Sequence, residues 1–311
     1  MKKNVLTSVT LAPSLGFSSY MDNLGEVENR GYELSLRATL IRNQAKKIFW
    51  SINGSAIHNK NKLLKISNAL KAYNEIQDKE ADANKNDFST SEWENMTSIN
   101  RPRVRYVEGA SMNSIWVNHS LGIDPATGNE LFTDRNGRIV SDWSSDNYVI
   151  GGCTDPDLEG IFGTNFTWKG LSLNMTFRYR IGGQMYNQTL VDKVQDIDPR
   201  YNADKRAFEQ RWQKPGDKVR FAAFSEDSQG INIGYRTKPT SRFVEDYNYL
   251  ELATLNFSYE FGTAKLKRYG IKRLKAMFYM NDVFHASNVK QERGIDYPFA
   301  RNFSIGLQAR F

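Results

Sequence analysis

The sequence predicts an all-β fold: an antiparallel transmembrane β-barrel portion of about eight strands belonging to a larger barrel, and an open sheet if isolated. Three observations support this. Polar and apolar residues alternate over long segments, short and long connections follow one another, and the chain ends on an aromatic residue, Phe311. A transmembrane strand needs about nine to eleven residues, whereas strands of soluble proteins usually have about five or six. The long segments therefore favour the barrel over a soluble β-sandwich.

The predicted strands follow one another as one antiparallel meander. Successive side chains of a strand point to opposite faces, so each segment has an apolar and a polar side. We expect Phe257 and Leu307 on the apolar, lipid-facing side. Strict alternation also places Tyr247, Tyr249 and Ala253 on the face of Phe257. The predicted spans are 31–41, 48–58, 160–168, 171–186, 246–261, 271–284 and 301–311.

A shorter strand over residues 5–11 is expected to precede the meander. The start Met1-Lys2-Lys3 imitates a secretory signal, but Thr7 and Ser8 dilute the apolar stretch and no convincing cleavage site follows. The alternation of side chains over 5–11 fits a strand better than a signal peptide. We expect no hydrogen bonds between this strand and residues 302–311, because about eight strands close only a narrow barrel and plugged transporters use about twenty-two.

The connections predict an orientation. Lys169-Gly170 is expected to be a two-residue hairpin turn, and residues 42–47 and 262–270 two further short turns. Long loops cover about 60–158, 188–244 and 286–300. Short turns at one end and long loops at the other are typical of outer-membrane barrels, with periplasmic turns and extracellular loops.

The long loops are predicted to contain elements of their own. Residues 131–140 should form a small hairpin around Asn136-Gly137. Short helices are expected over 203–213 and within 62–76. Loops of this length in a compact protein are usually functional.

Aromatic residues concentrate at both ends of the predicted strands, as expected of two membrane interfaces. The alternative is that aromatic residues simply favour strands. The predicted girdle beside the short turns is Trp50, Trp168, Tyr259, Phe261 and Phe311. The belt near the long loops is Tyr32, Tyr247, Tyr249, Phe284 and Phe303.

Composition fits a barrel and gives no catalytic signature. Aromatic residues make up 13% of the chain, mean hydropathy is −0.60, and the net charge of +7 is dispersed, so we expect no nucleic-acid partner. The single cysteine, Cys153, is expected to be a loop residue and not a nucleophile, since His58, His119 and His285 show no supporting pattern. The lumen-facing acids Glu33 and Glu260 should pair with neighbouring basic residues.

No metal site or cofactor is expected. Asp134, Asn136 and Gly137 resemble the start of a calcium loop, but the later ligands are missing. Paired lumen carboxylates and a Ser/His/Asp order are also missing, so we do not expect an enzyme.

Several ordered motifs resemble those of SusC/RagA-like TonB-linked outer-membrane transporters. The strand Tyr249 to Phe261 resembles the family's Tyr-Leu-Arg-Leu-Lys-Asn-Ile-Thr-Leu-Gly-Tyr-Thr-Phe, although Glu251 and Ala253 replace usual basic residues. Asp282 stands where the family usually has Asn. Further matches, in family order, are Gly25 to Leu34, Asn59 to Lys62, Gly122 to Gly128, Trp168-Lys169-Gly170, Gly182-Gly183 with Asn187, Arg211-Trp212 with Pro215-Gly216-Asp217, and Tyr297-Pro298 with Arg301.

The resemblance implies a fragment of an outer-membrane nutrient transporter. The expected activity is TonB-dependent uptake of oligosaccharides or peptides, with a SusD-like surface lipoprotein as partner. The sequence shows no signal peptide or plug domain, so the chain is expected to match only the C-terminal barrel, and contact with TonB would involve the missing N-terminal part. The alternatives are a small self-contained outer-membrane barrel and a surface-binding protein.

The last strand also resembles the C-terminal signal of outer-membrane proteins. This resemblance implies that the barrel assembly machinery recognises it and that outer-membrane lipid surrounds it. The residues concerned form one apolar row, namely Phe303, Ile305, Leu307, Ala309 and Phe311.

Overall fold

The computed structural model describes most of the chain. The described residues are 2–3, 6–10, 19–23, 25–83, 100–197, 204–226, 232–233, 237–262, 266, 268, 270–290 and 301–311. The strands, in chain order, are β1 (Lys2–Lys3), β2 (Leu6–Thr10), β3 (Ser19–Asn23), β4 (Gly25–Asn43), β5 (Ile48–Ile66), β6 (Ser114–Ile123), β7 (Glu130–Thr133), β8 (Ile139–Val140), β9 (Tyr148–Cys153), β10 (Leu158–Trp168), β11 (Leu171–Ile181), β12 (Gln184–Tyr186), β13 (Ser225–Glu226), β14 (Asn232–Ile233), β15 (Val244–Asp246), β16 (Tyr249–Glu260), β17 (Arg273–Ser287) and β18 (Phe303–Arg310).

Eight of these strands form one antiparallel sheet, the main sheet, in the order β1-β4-β5-β10-β11-β16-β17-β18. Neighbours in this sheet are also successive spanning strands along the chain, as a meander requires. The predicted strands are thus confirmed, with shifted ends. Within the described residues, neither β1 nor β2 pairs with β18, so the main sheet is open, as expected.

The predicted first strand is confirmed for residues 6–10, while residues 5 and 11 lie outside the described part. The strand β2 pairs with β3, from Leu6 with Asn23 to Thr10 with Ser19. The strand β1 pairs with the start of β4, with Lys2 opposite Val27. Both short ladders have the same register, so the β2–β3 hairpin lies in line with the ladder by which β1 joins β4 at the edge of the main sheet.

The two long strands β4 and β5 extend further than expected, to 19 residues each. Their ladder continues to Gly25 opposite Ile66, far beyond the span that a bilayer needs. The predicted helix within 62–76 is therefore wrong in its first part. Helix α1 spans Asn68–Ala83 and begins only after β5 has ended.

The predicted strand 171–186 divides at a pair of glycines. The strand β11 ends at Ile181, and Gly182 and Gly183 follow with φ of +78° and +75°. The backbone then turns away from the main sheet, and β12 pairs with β15 instead of continuing beside β16. A run of alternating residues does not reveal this break, because only the backbone angles of the glycines produce it.

The prediction of which residues of 246–261 share a face is wrong at one end, because β16 has a bulge at Ala253. On the short-turn side of the bulge Leu255 pairs with Met175, whereas on the long-loop side Leu252 pairs with Phe177. One extra residue moves every later side chain to the opposite face. Leu250 and Leu252 consequently take the apolar face, and Tyr249 takes the polar one. The prediction that Tyr247 and Tyr249 share the face of Phe257 is therefore wrong.

The turns and loops divide the molecule into two ends. The turn Lys169–Gly170, with φ of +47° and +96°, joins β10 and β11, and Gln44–Lys47 joins β4 and β5. At the other end, β8-β7-β6-β9 form a four-stranded sheet, which includes the predicted hairpin of β7 with β8. Helix α2 (Gln188–Leu190) and helix α3 (Arg206–Glu209) lie in the next long connection, and α3 is the short core of the helix predicted over 203–213.

No helix in the described part of the chain is long and apolar enough to span a membrane.

Candidate functional site

The register of the main sheet defines its two faces, because residues paired across strands share a face. The apolar face runs without interruption from Trp50 through Phe166, Leu173, Phe257 and Phe278 to Ile305. The polar face runs from Ser51 through Asn165, Asn174, Asn256 and Tyr279 to Ser304. Phe257 and, by the same register, Leu307 lie on the apolar face, as expected.

The predicted girdle residues lie at the short-turn ends of their strands. Trp168 and Tyr259 both pair with Leu171, so they share the apolar face. Trp50 donates its ring N–H to Thr164 Oγ1 at 2.9 Å, and the rings of Tyr259 and Phe261 meet edge to face at 5.0 Å. All five side chains are exposed, namely Trp50, Trp168, Tyr259, Phe261 and Phe311.

The last strand, β18, pairs only with β17 among the described strands, and its other edge carries no ladder. Two of its residues are the most exposed large apolar residues of the main sheet, Ile305 at 74% and Leu307 at 73%. Lys272 holds the chain end, donating its backbone N–H to the carbonyl of Arg310 at 2.7 Å and Nζ to that of Phe311 at 3.1 Å.

The polar face carries cross-strand ion pairs. Arg273 contacts Glu260 at 2.5 Å, which confirms the expectation that Glu260 pairs with a neighbouring base. Glu33, expected to do likewise, makes no ion pair with any residue that the structure describes. Further along this face, Glu251 lies 3.7 Å from Arg178 and 4.0 Å from His285 Nδ1.

The connections 67–157 and 182–248 pack together at the long-loop end, and their described residues are called the loop assembly. Trp143 and Asn118, of the first connection, donate a ring N–H and a backbone N–H to the carbonyl of Pro239 at 3.1 Å each. The second connection supplies an apolar core of Leu190, Val191, Val194, Ile197, Ala207, Phe221 and Phe243. The loops therefore have a folded interior.

A buried arginine is the central polar group of this interior. Arg211 is 2% exposed, and its guanidinium donates to the carbonyls of Ala207, Ala222, Val194 and Gln195 at 2.7 to 2.9 Å. Its guanidinium carbon also lies 4.3 Å from the ring centre of Phe224. Burial lowers the pKa of Arg211 to about 10, so the group stays charged at neutral pH. One side chain thereby joins four backbone positions.

A buried ion pair joins the two connections. Arg242 Nη2 lies 2.9 Å from Glu130 Oε2, with side chains 9% and 1% exposed. Thr240 donates its hydroxyl to Glu130 Oε1 at 2.6 Å, and Arg242 also donates to Gln195 Oε1 at 3.1 Å. Because both charges are paired and hydrogen-bonded, the desolvation penalty of burial is offset.

A partly buried carboxylate ties three distant segments together. Asp196 accepts hydrogen bonds from the backbone N–H of Thr237 at 3.0 Å and from its hydroxyl at 2.7 Å. Asn100 donates to it at 3.5 Å and to Asp192 at 2.9 Å. Burial raises the pKa of Asp196 to about 7, although the hydrogen bonds from Thr237 act in the opposite direction.

Motifs that carry the family resemblance meet at one contact. Trp212 donates its ring N–H to the carbonyl of Pro125 at 2.9 Å, and Gly216 donates its backbone N–H to the same oxygen at 2.8 Å. The ring of Trp212 lies directly over Gly128, where an added Cβ would come within 2.6 Å of it. The turn 124–128 thus docks on the segment 211–217.

Helix α1 is held by the extended segment 100–107. The side chain of Asn74 pairs with the backbone of Tyr106 in both directions, at 2.7 and 3.1 Å. Arg103 contacts Glu80 at 3.0 Å, and Arg105 contacts Asp78. The alternating arginines therefore line up along the acidic side of the helix.

The remaining chemical candidates have structural roles. The carboxylate of Asp134 accepts the backbone N–H of both Asn136 and Arg138 at 2.8 Å, which lowers its pKa and closes a turn. Cys153 lies within the first long connection, where it is the last residue of β9, and partial burial raises its pKa. The described residues contain no group of three or more potential metal ligands.

Sequence reasoning did not find the interior polar groups of the loop assembly, namely Asp196, Glu130 and Arg242. Each is polar by type, lies in a predicted loop and contacts residues far along the chain. Arg211 did carry a signal, since it belongs to the Arg-Trp and Pro-Gly-Asp motif.

The two-faced open sheet with structured long loops defines the class of protein: part of an outer-membrane β-barrel. The chain matches no protein-family model. Among curated proteins of Formosa agariphila, TonB-dependent receptor P39 is 23% identical over 99% of this chain, and TonB-dependent receptor P3 is 26% identical over 95%. The chain spans about a third of the length of these relatives, 33% and 30%.

Solved structures of a peptide transporter have a similar fold. The RagAB peptide transporter superposes with a TM-score of 0.69 at 19% identity, over 99% of this chain and 32% of the matched chain. The RagAB peptide importer in its closed-closed state gives 0.67 at 20% identity. The resemblance to SusC/RagA-like TonB-linked transporters that the sequence predicted is thereby confirmed.

Proposed function

We propose that this chain forms barrel strands and outer loops of a TonB-dependent transporter that imports oligosaccharides or peptides across the outer membrane. The observation that carries the proposal is the match of both the main sheet and the loop assembly to the RagAB peptide transporter over 99% of the chain. A match of the strands alone would support only a barrel.

The expected partners follow from the same likeness. A SusD-like surface lipoprotein would sit over the loop assembly, and TonB would supply energy from the periplasmic side. The barrel assembly machinery would insert the protein, and outer-membrane lipid would surround the apolar face. The cargo would contact the polar face, where Arg178, Glu251 and His285 lie close together.

The proposal is tested by uptake in the native organism. A strain lacking the gene should lose import of a fluorescently labelled peptide mixture or of labelled oligosaccharides, and the wild-type gene should restore it. Deleting tonB should abolish the same uptake. Affinity purification of the full-length protein from outer membranes should retain a surface lipoprotein.

Uptake of both cargo classes at the wild-type rate in the deletion strain would contradict the proposal. The self-contained barrel is disfavoured because, among the described strands, one edge of β18 has no partner and the outer edge of β4 pairs only with β1, and lipid does not tolerate exposed sheet edges.

A further inference from the structure

A cluster of basic side chains extends the outward face of β4 and β5 beyond the apolar band. The cross-strand pairs are Arg30 with Lys60, Glu28 with Lys62 and Glu26 with Lys65. By register, these residues continue the face of Tyr32 and His58, and therefore that of Trp50. The basic patch is defined as Arg30, Lys60, Lys62 and Lys65, all exposed.

The patch begins where the apolar face ends. From Trp50 to His58 the face carries only apolar, glycine and aromatic residues, a length of roughly 27 Å along the strand at about 3.3–3.4 Å per residue. A strand tilt of about 40° reduces this to roughly 20 Å along the membrane normal, close to the apolar band of about 25 Å in outer-membrane barrels. The rings of Tyr32 and His58 stack 5.0 Å apart at this boundary. Arg30 and Lys60 form the next pair on this face toward the long-loop end.

The opposite face of the same segment is covered by the protein itself. Val27 and Leu63 are 3% and 1% exposed, and Asn61 accepts the backbone N–H of Met112 at 3.0 Å. The basic side chains therefore point away from the loop assembly, toward the surroundings of the barrel.

Four neighbouring spanning strands, β10, β11, β16 and β17, lack this charge at their long-loop ends. On the same face, neighbouring spanning strands end on uncharged side chains, namely Leu158, Ile181, Leu250 and Ala286. If basic residues were required all along the outer rim, these neighbouring strands would carry them as well.

Positive charge exceeds negative charge on the patch. The acids on this face are Glu26 and Glu28, and Arg30 forms an ion pair with Glu28, its Nη2 lying 2.8 Å from the carboxylate. Lys60, Lys62 and Lys65 make no ion pair with any residue in the described ranges. Four basic residues and two acids therefore give this face a net charge of about +2, and Lys60 lies opposite another basic residue, Arg30.

We propose that the basic patch binds the phosphate groups of an anionic lipid in the membrane leaflet at the long-loop end. Phosphate oxygens suit these donors because lysine supplies a mobile point charge. The lipid source is favoured over free phosphate because the patch adjoins the apolar band without a gap. One lipid can therefore contact the aliphatic surface and the ammonium groups together. The inference rests on the barrel fold and not on the proposed transport activity.

The test measures lipid retention by the full-length protein that contains this chain. The protein is reconstituted in phosphatidylcholine nanodiscs containing a small fraction of bisphosphorylated lipid A, then extracted into mild detergent and examined by native mass spectrometry. We expect lipid A to be retained, and the variant Lys60→Gln/Lys62→Gln/Lys65→Gln to retain about tenfold less.

The matched control removes the same charge at the other end of the barrel. Lys46→Gln/Lys47→Gln/Lys169→Gln changes three exposed lysines in the short turns and should retain lipid A as the wild type does. Dephosphorylated lipid A should be lost equally from all three proteins. Should the triple variant fail to fold, the single variant Lys62→Gln should still show a several-fold loss.

Equal retention by the patch variant and the wild type would overturn the proposal. So would displacement of lipid A by millimolar inorganic phosphate, which would indicate a free-anion site. A dimer that persists only with the patch intact and excludes lipid would also overturn it, because the patch would then be an interface between copies.

Discussion

At the scale of single residues, Arg211 shows how a loop can have an interior. Its guanidinium donates hydrogen bonds, which water would otherwise supply, to four carbonyl groups from three separate stretches of chain. A lysine at this position has the charge but not the planar set of donors.

The variant Arg211→Lys should destabilise the loop assembly while leaving the main sheet intact. An ammonium group has three donors, so at least one of the four carbonyls would lose a hydrogen bond to a charged group, worth about 1.5–3 kcal/mol. Limited proteolysis of the full-length protein should show faster cleavage within 188–244. Arg138→Lys, at an exposed turn, is the control and should be cleaved at the wild-type rate.

Asp196 predicts a pH dependence of the same region. Its pKa in the folded state, about 7, is above the ordinary carboxyl value, so the folded state holds a proton that the unfolded state releases. The contribution of Asp196 to stability should therefore be largest below pH 4 and should be lost as pH rises toward 7. Protection of the 188–244 backbone against hydrogen exchange should be greater at pH 5.5 than at pH 8.

Asp196→Asn provides the control for this effect. Asparagine keeps an acceptor for Thr237 but cannot ionise, so the difference in protection between the two pH values should shrink. An unchanged difference would assign the pH dependence to another group.

Phe311 poses a different question, namely whether the terminal aromatic acts in assembly or only in the girdle. We expect Phe311→Ala in the full-length protein to leave little folded protein in the outer membrane, and Phe261→Ala to be tolerated. A girdle role alone predicts a loss of about 1–3 kcal/mol for either side chain, with assembly intact. Heat-modifiable mobility of the two variants in gels distinguishes these outcomes, and equal yields would leave only the girdle role.

At the scale of elements, a comparison of two glycines distinguishes the effect of a lost packing contact from the effect of backbone strain. Gly128 and Gly137 both have φ of +77°, but only Gly128 has a neighbour in the space of a Cβ, the ring of Trp212. Both alanine variants should show the same backbone strain, on the order of 1–3 kcal/mol. Gly128→Ala should additionally separate the turn 124–128 from Trp212.

The measurement for this prediction is the fluorescence of Trp212 against acrylamide quenching. Differences between each variant and a Trp212→Phe background isolate its signal. Gly128→Ala should increase the accessibility of Trp212 and Gly137→Ala should not, and an equal change in both would refute the contact.

The elements also show what the sequence could predict. Strand alternation is a local property, so the segments of the main sheet, their order and the turn Lys169–Gly170 were all predictable. The bulge at Ala253 was not, because a single extra residue leaves the composition unchanged while reversing the faces of Tyr249 and Leu250. The core around Arg211 and Asp196 depends on contacts between loops that are distant in sequence.

At the scale of the whole molecule, the open main sheet predicts the behaviour of the chain on its own. The 311 residues refolded into detergent should aggregate and show no heat-modifiable band, because edge strands with unpaired backbone groups associate with one another. Size-exclusion chromatography and gel mobility provide the measurement. A monomer with a heat-modifiable band would mean that the sheet closes by itself.

The unusual length of β4 and β5 also determines how the barrel mouth can move. Seven cross-strand pairs continue beyond Tyr32 and His58, and the segment carrying Ala110 is bonded to Leu63 at 2.8 and 2.7 Å. This segment of the loop assembly is therefore attached to a continuous two-stranded ladder and not to a flexible connection. Moving this segment toward the bilayer would break pairs of the ladder, so we expect the part of the loop assembly beside β4 and β5 to stay fixed.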